Sequence, residues 1–122
     1  MLQLNIDKPK NLLKLSYSGH VNVEEAIQYV EQLPPLLAEL QPGFFLLTDL
    51  SALEVIDFAC VPYIKKFMDL ANARGVSTII RVIPDPHKDI GLNIMSLFHY
   101  HRGTRVINCK TMQEALETLK LD

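Results

Sequence analysis

Asp49 and Asp57 bracket a short stretch that also holds Ser51. Two carboxylates flanking one loop can share a proton or bind a hard cation. No third carboxylate follows at metal-loop spacing, and no His or Lys is placed nearby in sequence. Asp49 therefore reads as a solvated loop acid and Asp57 as the N-cap of the helix that follows. Ser51 has neither an adjacent base nor a G-x-S-x-G setting, so it reads as a turn residue or an off-site phosphoacceptor rather than a nucleophile. A second group is Phe98-His99-Tyr100-His101-Arg102-Gly103. His99 and His101 share a face only where the chain is extended, and cations at a helix end also complement its dipole. A solvated face is the default there, with an anion contact by His101, Arg102 and Arg105 as the chemical alternative. Cys60 and Cys109 lie in no CxxC or Cys/His spacing and read as small buried thiols. No cofactor or metal is expected, and no nucleophile, base and orienting group are assembled at a recognisable spacing.

The chain has 122 residues, 48% hydrophobic and 21% charged, with a net charge of -2. That is the size of a single domain, residues 1–122, able to bury one core without staples. The scattered lysines and arginines leave no electrostatic footprint for nucleic acid. Apolar runs such as Phe44 to Leu47 are far too short to span a membrane, and the start MLQLNIDKPK lacks a signal peptide's apolar stretch. A cytoplasmic protein is the expectation.

The elements that must position these residues follow from periodicity. LQLNID and NLLKLSYSG alternate apolar and polar residues around the link Lys8-Pro9-Lys10, the pattern of a hairpin. Val23, Ala26, Ile27, Val30 and Leu33 recur at helical spacing behind Asn22, a capping residue with Glu25 three positions on. Pro34 and Pro35 should end or break that helix before LLAEL. Phe44 to Thr48 reads as a central strand covered on both faces, Asp49 to Ile56 as a loop, and Phe58 to about Ala73 as an amphipathic helix stopped by Gly75. Val76 to Ile83 is a β-branched strand ended by Pro84, and Asp85-Pro86 opens a helix that carries Ile90, Ile94, Leu97 and Phe98. Thr104 to Cys109 gives a last strand, and Thr111 with Glu114 a capping box for a terminal helix. The order is ββαβαβαβα: an α/β domain with a mixed, mostly parallel sheet of about five strands and helices packed against it.

The run Thr48-Asp49-Leu50-Ser51-Ala52-Leu53-Glu54-Val55-Ile56-Asp57, leading into a helix, resembles the STAS domain of anti-sigma factor antagonists. The helix ending Ala73-Arg74-Gly75 before a strand, and the closing TMQEAL helix, resemble the same SpoIIAA-like family, so the likeness covers essentially the whole chain. The resemblance implies a non-enzymatic regulatory domain that binds a protein, an anti-sigma factor or related regulatory kinase. Members that act as phospho-switches follow the aspartate matched by Asp57 with Ser-Ser-Gly or Ser-Thr-Gly, one hydroxyl of which the partner kinase phosphorylates. This chain reads Phe58-Ala59-Cys60, so Phe58 and Ala59 form a degenerate phosphosite without a hydroxyl.

The sequence therefore points to an unswitched docking surface that includes Asp49, Ser51, Asp57, Phe58, Ala59 and Pro62. Phe58 either tucks into the core or, with Ala59 and Pro62, forms an apolar patch for a partner or for a second copy of the chain. The alternative is a small apolar, lipid-like ligand held between the sheet and the Ile90 to Phe98 helix, whose apolar residues exceed what one face can hold.

Overall fold

Five strands and three helices are seen in the computed structural model, which describes residues 1–83 and 104–121. The opening hairpin is β1 (Leu2–Asp7) and β2 (Leu12–Val21), paired antiparallel. Its link closes with Asn11 in the left-handed region (φ 52), where the Asn11 N–H donates to Lys8 O at 3.0 Å. Asparagine tolerates that conformation better than most side chains. From there the chain runs α1 (Val23–Ala38), β3 (Phe45–Ile56), a single 3-10 turn (Phe58–Cys60), α2 (Val61–Arg74), β4 (Thr78–Val82), β5 (Arg105–Cys109) and α3 (Met112–Leu121). The sheet order is β1-β2-β3-β4-β5, and every pairing after the hairpin is parallel. This is the mixed, mostly parallel sheet that the element order requires. The helix expected from Asp85 onward falls outside the described residues.

Period-two alternation divides the strands between two apolar layers. Leu13, Leu15 and Tyr17 of β2, Leu46 of β3 and Ile79 of β4 face α1 and α2, where they meet Leu33 and Phe67. Their neighbours Leu12, Leu47 and Ile80 face the other way, toward Cys109 and Ala115 of the α3 layer. Phe44, Leu46 and Leu47 are buried and only Phe45 is partly exposed, which is why the stretch Phe44 to Leu47 carries no polar residue.

The helix ends show how local chemistry sets the boundaries. Asn22 caps α1 as expected, its Oδ1 accepting the Glu25 N–H at 2.9 Å. Thr111 Oγ1 accepts the Glu114 N–H at 3.2 Å, and the Glu114 carboxylate returns to the Lys110 N–H at 2.9 Å. Gly75 ends α2 at φ 95, a conformation open to glycine at little cost. The adjacent Arg74 reaches across to α1, Nε donating to Leu37 O at 2.9 Å and Nη2 to Leu40 O at 2.7 Å. Since α1 has no basic residue in its own last turn, this guanidinium supplies the cation there, as a further donor to the Leu37 carbonyl, which also accepts the Leu40 N–H at 3.1 Å.

Pro34 and Pro35 do not end α1; both lie within it, on its exposed side. Each removes one helical N–H, leaving the carbonyls of Val30 and Glu31 without their usual donors. The exposed side gives such carbonyls access to water, while Leu33 and Leu37 stay buried on the other side and hold the helix against the sheet.

Candidate functional site

The expected loop from Asp49 to Ile56 is strand. β3 continues to Ile56 alongside β2, and it does so by bulging. Ser16 pairs with Asp49 but Ser18 with Ala52; Gly19 pairs with Leu53 but His20 with Val55. Each shift inserts one extra residue into β3, so the stretch Asp49 to Ile56 lies opposite only Ser16 to Val21. The core-facing residues become Leu50, Leu53 and Ile56, three apart rather than two. That spacing conceals the strand in the sequence. At the first bulge Asp49 Oδ1 accepts the Ser51 N–H at 2.9 Å, taking up a donor that the irregular ladder leaves over. Opposite the second, Gly19 of β2 adopts φ 59, a left-handed bend that glycine takes at little cost.

Extension of β3 separates the two aspartates. From Asp49 to Ile56 the chain advances past five positions of β2, roughly 17 Å at ~3.3 Å per residue. Asp49 and Asp57 therefore cannot share a proton or a metal ion. Among the described residues no group of three or more His, Cys, Asp or Glu side chains is placed to hold a metal. Ser51 is exposed and stays with Asp49 on the strand.

Asp57, Phe58, Ala59 and Pro62 do come together, on the 3-10 turn and the first turn of α2. The Asp57 N–H donates to Val21 O at 3.0 Å, and its carbonyl accepts the Cys60 N–H at 2.9 Å, which closes the turn. Its side chain does not cap the helix, contrary to expectation. Because a 3-10 turn intervenes, α2 begins only at Val61, with Cys60 in the capping position. The carboxylate instead turns to β2, where Asp57 Oδ1 lies 2.6 Å from His20 Nε2. Both side chains are substantially exposed, at 61% for His20 and 41% for Asp57. An ion pair in that setting is worth at most about 1 kcal/mol.

Phe58 is 88% exposed, and Ala59 and Pro62 are exposed beside it. The ring does not tuck into the core. Cys60 behind it is fully buried, its Sγ donating to Val21 O at 3.7 Å, and burial reinforced by the Asp57 charge pushes its thiol pKa up. It is a packing residue and a poor nucleophile. Cys109 is likewise buried.

His20 is the member of this cluster that sequence reasoning misses. It stands 37 residues from Asp57, and only the parallel β2–β3 register, with His20 opposite Val55, brings the two together. The Phe98 to Gly103 cluster and the Ile90 to Phe98 helix, with the cavity expected beside it, lie outside the described residues. Of the expected anion-binding trio only Arg105 is described, exposed on β5. No helix among the described residues is long and apolar enough to cross a membrane.

No family model and no curated protein matches the chain. Solved structures do. The anti-sigma factor antagonist SpoIIAA in its unphosphorylated form matches with a TM-score of 0.68 at 14% identity, over 98% of both chains. A DUF3478-family protein with a SpoIIAA-like fold, from Shewanella loihica PV-4, gives 0.70 at 14% identity over 98% of this chain and 92% of that one. An anti-sigma factor antagonist from Mycobacterium paratuberculosis gives 0.55 at 15% identity, over 98% and 93%. Likeness at such identities is likeness of fold, and it agrees with the strand order, the crossovers and the helix placement described above: the chain has a SpoIIAA-like, STAS-like α/β fold.

Proposed function

We propose that this chain is a non-enzymatic regulatory module that binds a protein partner through the end of the molecule carrying His20, Asp57, Phe58, Ala59 and Pro62. The observation that carries the reading is Phe58, an aromatic ring 88% exposed on a short turn. Holding a phenyl ring in water stabilises nothing in the free domain, whereas interface centres are rich in aromatic anchors. The exposed Ala59 and Pro62 extend the apolar surface, and the His20–Asp57 pair supplies a polar rim. Asp49 and Ser51 belong to a separate stretch of β3 and contribute at most to the margin of the contact.

The likeness in fold to anti-sigma factor antagonists supports an anti-sigma factor or related regulatory kinase as the partner, in transcriptional control in the cytoplasm. Binding is constitutive with respect to phosphorylation at the usual site, because Phe58 and Ala59 offer no hydroxyl. A second copy of the chain is the competing occupant of the patch.

The test is affinity capture from native lysate with the wild-type chain, Phe58→Ser and Asp57→Ala, alongside sedimentation to detect self-association. One specific protein captured by wild type and lost with Phe58→Ser supports the reading; equal capture by all three removes the interface from this surface. Mass spectrometry after incubation with candidate kinases tests the unswitched state. Stoichiometric phosphate on Ser51 or elsewhere in β3 would overturn it.

A further inference from the structure

The α3 side of the sheet is only half covered by described residues. A helix about 10 Å across shields roughly two strands spaced ~4.8 Å apart, and α3 packs over β4 and β5. The step down from α3 to the β2–β3 half forms an open cleft of about 440 Å³, lined by Lys10, Leu12, Lys14, Phe45, Leu116, Leu119 and Lys120. That volume falls within the roughly 300–1,000 Å³ typical of small-molecule sites.

Register explains this lining. Leu12 of β2 pairs with Phe45 of β3 on this side of the sheet, and Lys14, two residues along, shares the face with Leu12. Leu116, Leu119 and Lys120 follow one another at helical spacing along α3. The result is an apolar floor and wall, with Leu116 still 42% exposed, and three lysines around them. Among the described residues no acidic side chain lines the cleft, and none of the three lysines has a carboxylate within ion-pair distance.

We propose that this cleft binds a single-chain anionic amphiphile, an alkyl carboxylate of the fatty-acid kind. The Leu12, Phe45, Leu116 and Leu119 surface takes the chain, and the lysine ammonium groups hold the carboxylate at the solvent edge, their own stems adding apolar cover. Free phosphate fits less well, since the floor offers it no donors. The cleft faces away from the α1–α2 layer, so the inference does not depend on the partner surface at Phe58.

The experiment is methyl-labelled NMR on the full chain, titrated with decanoate, decanol, butyrate and inorganic phosphate below aggregation concentrations, and separately with phosphatidylglycerol vesicles. Decanoate should shift the Leu12, Leu116 and Leu119 methyls saturably. A fully enclosed methylene adds about fourfold in affinity and a half-enclosed one about twofold, so an alkyl carboxylate series should tighten about twofold per carbon. Lys14→Glu combined with Lys120→Glu, both at exposed positions, should stay folded by circular dichroism and weaken decanoate by about tenfold or more. Phe58→Ser should leave the titration unchanged. Equal affinity for decanol and decanoate, equal shifts from phosphate alone, no dependence on chain length, or a response only to vesicles would each overturn the proposal.

Discussion

Phe58→Ser separates docking from folding with one substitution. The ring is 88% exposed in the free domain, so its loss removes almost no native packing, and unfolding free energy should stay within about 0.5 kcal/mol of wild type. Phe67 is the internal contrast: it is fully buried and stacked on Tyr29 at 4.7 Å between ring centroids. Phe67→Ala should cost about 3–5 kcal/mol. In a complex the positions reverse. A Phe side chain carries roughly 150–250 Å², and at ~25 cal/mol per Å² its burial is worth about 4–6 kcal/mol before ordering and desolvation costs. A net loss of about 2 kcal/mol, or roughly 30-fold in Kd, is the working figure. Urea unfolding followed by circular dichroism gives the first number, and calorimetric titration with the captured partner gives the second. Retained affinity in Phe58→Ser refutes the docking argument. A stability loss above about 1.5 kcal/mol would mean that the ring packs against the protein after all.

The remaining predictions concern the frame around that surface. Asp57→Ala should cost less than the ~1 kcal/mol usual for a lost N-cap, because its side chain caps nothing, and a double-mutant cycle with His20→Ala should give a coupling of about 0.5 kcal/mol in urea melts. Arg74→Ala should lose about 2 kcal/mol, since two charge-assisted bonds to the end of α1 disappear, and Arg74→Lys should recover only part of it because an ammonium cannot reproduce the fork. Alkaline pH should destabilise the fold. Burial raises the pKa of the Cys60 thiol above its unfolded value, so that contribution is complete below about pH 8.5 and falls as pH rises further, when the unfolded chain alone readily releases the proton. Tyr17, with its phenol raised still further by burial, adds to the loss above about pH 10. Denaturant midpoints measured across this range should fall less steeply in Cys60→Ala and Tyr17→Phe than in wild type.

Much of this architecture is legible in the sequence wherever one local rule acts alone. The hairpin, the Asn22 and Thr111 caps, the Gly75 stop and the all-apolar start of β3 each follow from near-neighbour chemistry. Two readings fail where a distant contact overrides the local rule. Burial of Leu33 and Leu37 carries α1 through two prolines. Two bulges convert β3 from period two to a three-residue step, so a paired strand resembles a loop. The candidate site inherits both strengths and failures. Phe58 stands out from its residue type alone, yet its exposure and the His20–Asp57 pair depend on a register that no short motif encodes. Asp57 looks like a helix cap because the sequence does not announce the 3-10 turn ahead of α2.

Arg74 and Gly75 have a consequence for how the domain comes apart. Arg74 ties the end of α2 to the carbonyls of Leu37 and Leu40, while the Gly75 carbonyl accepts the Gly43 N–H at 2.7 Å. A Cβ at Gly75 would approach Pro42 Cβ to 3.3 Å, so the two crossings between helix and strand lie nearly in contact. Neither helix can fray at this end without releasing the other, which makes α1 and α2 one cooperative unit of opening. Among the described helices, local unfolding is expected to begin at α3, a ten-residue helix packed over β4 and β5, rather than at the α1–α2 clasp.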